Sequence, residues 1–466
     1  MNRSQIYAEF LESAQMTDSN VMPLSEFRSW IEENKKKTQL KIDEIRFDQM
    51  ENWYFENKSD NLVHESGRFF SITGVRVTTN WGNIAEWTQP IINQPEIGFL
   101  GIIAKRFKGI LHFLMQAKIE PGNINAVQVS PTLQATKSNY MLVHKGNVPN
   151  YLEYFTQKRS GTRILLDQLQ SEQGARFLKK RNRNIIVEIN EDIEVLEQFC
   201  WLTLGQIKTL IRDDNVVNMD TRTVISGIPC IPLGHVIPDE SFNGALLHSI
   251  HLEEGFYGTD ELVSWITEQK TKYDLDVEQI ALNQVKGWER DDWAIYHEES
   301  KYFSVIAVRV EIGNREIQRW TQPLVKSAQE GIIAFITRRI NGTLHFLVQA
   351  KLEAGNFDIV ELAPTVQCLT GNYRNGQNEY EVHFLHYVLE AEKNGSRVVH
   401  NSLQSEEGGR FYREQNRNII IEAGDDFPIE VPEQFTWMTL NQLYQFLRFN
   451  NYLNIQARSM LSVLQY

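Results

Sequence analysis

The chain contains the same long phrase twice, and this duplication is the strongest constraint on its fold. Residues 87–140 contain WTQP, LHFLMQAKIEPGN, PTLQ and NY, and residues 320–373 contain WTQP, LHFLVQAKLEAGN, PTVQ and NY at the same spacing. When residues 67–140 are laid over residues 300–373 without a gap, about 30 of the 74 positions are identical. A repeat of about 20 to 50 residues would indicate a solenoid. This unit is much longer, so the sequence predicts two copies of a whole domain.

The local patterns in each copy predict an α+β domain. Apolar residues at helical spacing predict a helix at the start of each half: Leu24, Phe27, Trp30 and Ile31 in the first, and Leu262, Trp265 and Ile266 in the second. A hydroxyl before an apolar periodic run predicts a capped helix at the end of each half, beginning after Thr203 and after Thr439. Between these helices, β-branched and aromatic runs predict strands near residues 69–77, 111–115, 184–189, 302–310 and their partners. We therefore expect a curved mixed sheet with packed helices in each copy.

The predicted boundaries follow the limits of the similarity. Residues 1–23 form an N-terminal extension, 24–214 the first repeat, 215–258 a linker and 259–466 the second repeat. The linker contains the Pro- and Gly-rich stretch GIPCIPLGHVIPDESFNG, where the similarity disappears.

Composition indicates a cytoplasmic globular protein that binds neither nucleic acid nor membranes. The net charge of −13 over 466 residues gives no overall electrostatic footprint for nucleic acid. The three cysteines share no short spacing, which favours reduced thiols over a disulfide framework. Acidic residues occupy the N-terminal stretch where a signal peptide would need an apolar core, and no run approaches the length of a membrane span.

The repeated HFL-QAK-E phrase places polar side chains on one face of a strand. Alternation groups His112, Gln116, Lys118 and Glu120, and in the second copy His345, Gln349, Lys351 and Glu353, each followed by a Gly-Asn turn with Asn123 or Asn356. The face is either a solvated outer surface or the wall of a polar pocket. Because the polar types recur while their apolar neighbours vary, the pocket wall is favoured.

Two further repeated blocks contain candidate binding residues. The WTQP segments follow the central strands, where their proline predicts a turn. Trp87 and Trp320 either stack on a planar base or fill the core. The same two roles are open for Tyr140 and Tyr373. The block LQSEQGARF…NRN, repeated as LQSEEGGRF…NRN, concentrates arginines in an acidic protein. Arginine pairs well with phosphate oxygens, so this block is either a diphosphate clamp or a salt-bridged loop.

Several familiar motifs are missing from the sequence. It contains no phosphate-binding loop that ends in Lys-Ser or Lys-Thr, no GxGxxG after a strand, no HExxH, no paired CxxC and no GxSxG. The sequence therefore gives no support for binding of ATP or NAD, and we expect neither a metal nor another cofactor.

The three repeated blocks together resemble the NDP-hexose 2,3-dehydratase family of deoxysugar biosynthesis, over nearly the whole chain. The resemblance implies tandem Nudix-like domains and a homodimer. It also implies removal of the C2 hydroxyl as water from a nucleotide-linked 4-keto-6-deoxyhexose, typically the dTDP-glucose derivative, with an NADPH-dependent 3-ketoreductase acting on the product. Neither half has the REXXEEXG core of a Nudix hydrolase, so diphosphate hydrolysis is not expected.

The residue types fit this elimination in outline. A base removes the C3 proton, a donor stabilises the enolate, and an acid protonates the leaving hydroxyl. We assign acid–base work to His112 or His345, with Lys118 or Lys351 and Glu120 or Glu353 as partners; the sequence does not decide which half acts. The predicted substrate-binding residues are Trp87, Gln89, Gln116, Asn123, Tyr140, Ser171, Arg176, Arg183, Trp320, Gln322, Gln349, Asn356, Tyr373, Ser405, Arg410 and Arg417.

Three other functions fit parts of the sequence. A sensor would bind the nucleotide sugar without converting it. A C3 epimerase would share the first proton abstraction. A nucleic-acid or protein scaffold would use the basic segment 176–183, although the second copy replaces two of its bases with Glu414 and Gln415.

Overall fold

The computed structural model describes residues 3–136, 148–157, 159–234, 240–313, 319–369, 382–395 and 397–466. The elements of the first half are α1 (Arg3–Gln15), α2 (Leu24–Lys37), β1 (Leu40–Ile45), β2 (Trp53–Phe55), β3 (Leu62–His64), β4 (Ser71–Thr79), β5 (Glu86–Asn93), β6 (Gly98–Phe107), β7 (Ile110–Ile119), β8 (Val127–Ser130), β9 (Leu133–Ala135), α3 (Glu153–Thr156), β10 (Thr162–Ser171), β11 (Arg181–Ile189), β12 (Phe199–Thr203), α4 (Leu204–Ile211) and α5 (Met219–Ser226).

The second half repeats this order within the described residues. Its elements are α6 (Phe242–His251), α7 (Thr259–Lys272), β13 (Leu275–Ile280), β14 (Trp288–Arg290), β15 (Ala294–His297), β16 (Phe303–Ile312), β17 (Arg319–Ser327), β18 (Gly331–Ile340), β19 (Thr343–Lys351), β20 (Glu361–Pro364), β21 (Val366–Leu369), α8 (Leu385–Asn394), β22 (Val398–Ser405), β23 (Gln415–Ala423), β24 (Phe435–Thr439), α9 (Leu440–Leu447) and α10 (Ile455–Ser462).

The α+β class and the duplication are confirmed, but the described residues of each repeat form two sheets where the sequence predicted one. The larger sheet of each repeat has seven strands, with the orders β10-β11-β6-β7-β12 and β22-β23-β18-β19-β20; β8 and β9 join the first, and β21 and β24 join the second. Each is mixed, because β6 pairs with β11, and β18 with β23, in parallel while the other pairs are antiparallel. The smaller sheets have five strands each.

The two smaller sheets exchange strands between the repeats. β13, from the second half, pairs antiparallel with β4 of the first half, and β1, from the first half, pairs with β16 of the second. Each smaller sheet is therefore completed by the other half of the chain. A single cluster of buried apolar residues also includes Phe113 of the first repeat and Phe346 of the second, so the two repeats share a core.

Helix caps account for the positions of the closing helices. The Thr203 side chain accepts a hydrogen bond from the Gln206 amide at the start of α4, and Thr439 accepts one from the Gln442 amide at the start of α9, as the sequence predicts.

The predicted N-terminal extension and linker both contain helices that occupy matching places. Ser13 in α1 accepts a hydrogen bond from the Leu204 amide and donates to the Leu111 carbonyl. Ser249 in α6 makes the same two contacts with Leu440 and Leu344. We therefore propose that each repeat begins one helix earlier than the sequence similarity suggests.

The Gly-Asn turns join the repeats through backbone hydrogen bonds. The Gly355 amide donates to the Gly174 carbonyl over 2.7 Å, and the Lys179 amide donates to the Gly355 carbonyl over 2.9 Å. Gly122 makes the matching pair with Gly408 and Arg413, at 2.7 Å each. Each turn therefore packs against the arginine-containing block of the other repeat.

We expect Gly355→Ala to destabilise the whole chain. A Cβ at this position would overlap the carbonyl oxygen of Phe177, a backbone atom that side-chain rotation cannot move away. The free energy of unfolding, measured in urea, should fall by about 3 kcal/mol or more. Gly258→Ala is the control, because its Cβ would meet only the flexible side chains of Glu254, at 3.3 Å, and Glu261, at 3.5 Å. Equal stability of the two variants would contradict this packing.

Candidate active site between the two repeats

A cavity of about 580 Å³ opens where the two repeats meet. The first repeat contributes residues of β5 and of the arginine-containing block, and the second contributes its smaller sheet and the end of β19. The lining residues with the clearest chemistry are Trp87, Gln89, Arg176, Trp288, Lys351 and Glu353. These residues thus combine the first copies of the WTQP segment and of the arginine-containing block with the second copy of the HFL-QAK-E phrase.

The WTQP segments lie inside strands, so the predicted turn is wrong. Trp87–Pro90 lies in β5 and Trp320–Pro323 lies in β17. Among the named strands of the described residues, β5 pairs with β4 and β17 with β16. On its other side each makes an isolated bridge, Ile92 with Phe177 and Val325 with Phe411. Proline is tolerated on such edge strands because it need not donate to a neighbour.

Each WTQP segment is tied to the arginine-containing block of its own repeat. Trp87 Nε1 donates to Gln89 Oε1 over 3.0 Å, and Gln89 Nε2 donates to the Ala175 carbonyl over 3.2 Å. Trp320, Gln322 and the Gly409 carbonyl form the same chain at 2.8 and 3.0 Å. In the first repeat this chain positions Trp87 beside the cavity.

Two cations line the cavity without an ion pair. Arg176 lies over the Phe303 ring with 4.2 Å between the guanidinium carbon and the ring centroid, and its Nη1 donates to the Ala175 carbonyl. Its Nε has no hydrogen-bond partner. Among the described residues, neither Arg176 nor Lys351 has a carboxylate within 4 Å. This part of the cavity therefore suits a ligand with negative charge.

The Glu353 carboxyl group lies beside these cations and is buried. Its Oε1 accepts a hydrogen bond from Gln367 Nε2 over 2.9 Å, whereas Oε2, beside the backbone of Gly174, has no partner with hydrogen-bond geometry. Burial raises the pKa of Glu353 above its ordinary value, and the positive charges of Lys351 and Arg176 offset part of that rise. A carboxylate with a raised pKa is a stronger proton acceptor, as general-base catalysis requires.

The matching side chains of the other copy are paired with one another. Lys118 Nζ lies 3.8 Å from Glu120 Oε1, which also accepts a hydrogen bond from Gln134 over 2.7 Å. Arg410 lies over the Phe70 ring, and its Nε and Nη2 both donate to Gln94 Oε1. The cations of this second arrangement therefore have protein partners that those in the cavity lack.

The two copies also differ in charge. The cavity has Gln173 and Gln456 where the second arrangement has Glu407 and Asp220, but it also has Glu414 where the second arrangement has Lys180. Burial raises the pKa of the Asp220 carboxyl well above its ordinary value, and the charge of Glu407 acts in the same direction. The replacements thus exchange charge between the two arrangements in both directions.

The histidines lie at the other end of their strands. His345 Nε2 accepts a hydrogen bond from the Phe256 amide over 2.8 Å, and Nδ1 lies 2.8 Å from the Thr343 carbonyl. His112 similarly contacts Ser19 Oγ at 2.8 Å and the Ile110 carbonyl at 3.0 Å. Burial lowers the pKa of both imidazoles. Six residues of strand, about 20 Å, separate His345 from Lys351, so the structure does not bring the histidines to the cavity.

Several predicted binding residues also lie outside the cavity wall. Arg183 is paired with Asp167 through two hydrogen bonds of 2.7 and 2.6 Å, and Arg417 lies 3.7 Å from Glu330. Ser171 and Ser405 are buried, and their hydroxyls donate to Glu361 and Gln128 respectively.

The remaining predictions concern amides and tyrosines. Asn123 and Asn356 lie at the contacts between the repeats, and Gln349 donates to the Pro364 and Thr365 carbonyls. Gln116 lies half-buried in β7. Tyr140 and Tyr373 lie outside the described residues.

Sequence reasoning did not single out several cavity residues. Gln367 and its counterpart Gln134 belong to the repeated PTVQ and PTLQ phrases, and that repetition was the available signal. Trp288 and Phe303 come from the smaller sheet of the second repeat, and nothing in their local pattern indicates proximity to β5 of the first.

Two further features bear on the kind of protein this is. Among the helices in the described ranges, none is both long and apolar enough to cross a lipid bilayer. Within the same ranges, no three His, Cys, Asp or Glu side chains are grouped to hold a metal ion.

Comparison with known proteins identifies the class. The family model of NDP-hexose 2,3-dehydratase matches residues 24–228 and again residues 259–464. The chain therefore belongs to the NDP-hexose 2,3-dehydratase family.

Three relatives are each named dTDP-4-dehydro-6-deoxy-alpha-D-glucopyranose 2,3-dehydratase. The Saccharopolyspora spinosa protein is 45% identical over 98% of this chain and 94% of its own length. The Amycolatopsis orientalis protein is 42% identical over 97% of this chain and 92% of its own. The Streptomyces violaceoruber protein is 43% identical over 94% of this chain and 96% of its own.

Proposed function

We propose that this protein is a hydro-lyase that removes the C2 hydroxyl from dTDP-4-keto-6-deoxyglucose or a closely related nucleotide sugar. The observation that carries the proposal is the cavity between the repeats. There, two cations without ion pairs, Arg176 and Lys351, lie beside the buried carboxyl group of Glu353. Family membership and the names of the three relatives support the same reaction.

The cavity residues fit the individual steps of the elimination. Glu353 takes the C3 proton, which the C4 ketone makes acidic, and Lys351 stabilises the enolate charge on the C4 oxygen. The electron pair forms the C2–C3 double bond as the C2–oxygen bond breaks. The hydroxyl takes the proton that Glu353 now holds and leaves as water, which restores the base. The resulting enol tautomerises to a 3,4-diketo-2,6-dideoxy sugar.

The remainder of the cavity fits the nucleotide. The Arg176 guanidinium can donate two hydrogen bonds to the diphosphate, and Trp87 and Trp288 offer indole faces for the base. The exposed Lys286 at the rim adds positive charge. Because these residues come from both repeats, we assign one catalytic site to this cavity and neither repeat acts alone.

Replacing Arg176 by Met should weaken substrate binding more than it slows the chemistry. Methionine keeps an unbranched stem against Phe303 but removes the charge-assisted hydrogen bonds, each worth about 1.5–3 kcal/mol. KM should rise by about 100-fold or more, with kcat within about threefold. Arg183→Met is the control from the same sequence block, since Arg183 is already paired with Asp167. Equal KM changes in the two variants would contradict the assignment.

The reaction itself is tested by mass spectrometry of purified protein with dTDP-4-keto-6-deoxyglucose, a 3-ketoreductase and NADPH. Loss of one water followed by gain of two hydrogens is expected. An unchanged sugar that still raises the melting temperature would indicate a sensor. Exchange of the C3 hydrogen without loss of water would indicate an epimerase.

The resemblance also supports proposals about assembly and setting. We propose that the protein is a homodimer and that its product is the substrate of an NADPH-dependent 3-ketoreductase. We also propose that it is cytoplasmic, because Cys200, Cys230 and Cys368 are all free thiols, which fits a reducing compartment. Light scattering after gel filtration tests the dimer. The Nudix-like relationship of the repeats is likewise a proposal, and without the REXXEEXG core we expect no release of nucleoside monophosphate.

A further inference from the structure

One buried carboxyl group lies next to the cavity but does not line it. Glu361, the first residue of β20, stands directly opposite Lys351 in the antiparallel pair of β19 and β20. Opposite residues of such a pair project to the same face with their Cβ atoms about 5 Å apart. Lys351 lines the cavity, whereas Glu361 is only 1% exposed.

Glu361 has one hydrogen bond and no ion pair. Its Oε2 accepts a hydrogen bond from Ser171 Oγ over 2.8 Å, and its Oε1 has no partner. Arg458 is close, but its guanidinium donates to Thr223 Oγ1 and to the carbonyls of Leu453 and Ser171. Within the described ranges, no cation lies within 4 Å of the Glu361 carboxyl group.

Several charges face Glu361 from the elements packed around it. Lys351 and Glu353 come from β19 and its extension, Asp358 from the loop before β20 and Arg458 from α10. Burial raises the pKa of Glu361 to about 8; the Glu353 and Asp358 charges act in the same direction, and Arg458 and the Ser171 hydrogen bond oppose them.

The first repeat provides an internal comparison. Gln128 stands opposite Lys118 as Glu361 stands opposite Lys351. It accepts a hydrogen bond from Ser405 Oγ over 2.9 Å, which reproduces the Ser171–Glu361 contact. An amide therefore fits this position without rearrangement, and an amide cannot ionise. Of the two matching positions, only Glu361, opposite the lysine that lines the cavity, has a side chain that can change its charge.

We propose that Glu361 is a positioning residue for the dehydration: its carboxyl group carries a proton during turnover, adds no second negative charge beside the Lys351 ammonium, and stops turnover when it ionises. This inference rests on the proposed function, because it assigns Lys351 to the C4 oxygen. A carboxylate behind Lys351 would neutralise the positive potential that stabilises the enolate.

The expected pH dependence is bell-shaped. Protonation of Glu353 at low pH removes the base and gives the acid limb. Glu361 ionises at higher pH, and kcat/KM falls about tenfold per pH unit on the alkaline limb. The two neighbouring carboxyl groups thus have separate tasks, one as a base and one as a proton-bearing neighbour.

The test compares the pH profile of kcat/KM in the full-length protein and in Glu361→Gln, with the reductase in excess. The variant should keep its activity at about pH 9, where the unaltered protein has lost about tenfold, and should retain the acid limb. Gln128→Glu is the matched control and should leave the alkaline limb where it is. An unchanged alkaline limb in Glu361→Gln would overturn the inference.

A second measurement needs no turnover. Infrared difference spectra of the ligand-free full-length protein should show a protonated carboxyl group that titrates near pH 8 and is lost in Glu361→Gln. Absence of that signal overturns the inference whatever the activity. If the signal is present but no sugar is converted, the proposed function fails together with the role in turnover, and the proton on Glu361 stands.

Discussion

Replacing Glu353 by Gln should reduce kcat about 1,000-fold while the protein still binds its substrate. A positioned general base contributes about 10²- to 10⁴-fold to a proton transfer, and glutamine keeps the shape of the side chain but cannot accept the C3 proton. The Gln367 hydrogen bond to Oε1 can persist in the variant. Turnover with the coupled reductase and calorimetric titration with dTDP measure the two quantities separately.

Glu120→Gln is the matched control, because Glu120 holds the same place in the other copy and accepts the equivalent hydrogen bond from Gln134. We expect it to keep kcat within about threefold, since the proposed site uses only the carboxyl group in the cavity. A loss of turnover in Glu120→Gln with normal activity in Glu353→Gln would place catalysis in the other copy. Loss in both would contradict a single catalytic site.

The variant His345→Asn tests one of the two histidines to which the sequence analysis assigned acid–base work. Because both ring nitrogens contact backbone groups far from Lys351, we expect the variant to lose stability and to keep most of its turnover when folded. An unfolding curve beside the kinetics separates the two effects. Loss of kcat in a folded His345→Asn variant would support the histidine assignment.

The two halves of the chain, expressed separately as residues 1–234 and 240–466, should each be insoluble and inactive. The first half retains β1, whose partner β16 is in the second half, and the second retains β13, whose partner β4 is in the first. Each half would expose an unpaired strand edge and one side of the shared core, and such surfaces aggregate.

Co-expression of the two halves should restore a soluble, active complex. Both exchanged strands then find their partners, and the cavity regains Trp87 and Arg176 from one half with Lys351 and Glu353 from the other. Affinity purification through a tag on one half, followed by the coupled assay, measures the recovery against the intact chain. A soluble half that unfolds cooperatively by itself would contradict the role of the exchanged strands.

Local chemistry explains which elements could be predicted from the sequence. Thr203 and Thr439 begin helices because a hydroxyl can satisfy free backbone amides, and that signal lies within a few residues. The turn predicted at the WTQP segments was wrong because proline, which usually indicates a turn, is also tolerated in an edge strand. Whether a strand lies at an edge is a property of the whole sheet. Alternation put His345 and Lys351 on one face but could not show which end of the strand borders the cavity.

By itself the sequence determined the duplication, the α+β class and the kinds of side chain available for the chemistry, because repetition, periodicity and residue type are local properties of the chain. Only the tertiary structure decided which copy of each motif meets which. Arg176 meets Lys351 and Glu353 of the other repeat because strand exchange and the Gly355 turn bring the repeats together. Contacts between residues so distant in sequence depend on the packing of the whole core, which no local pattern records.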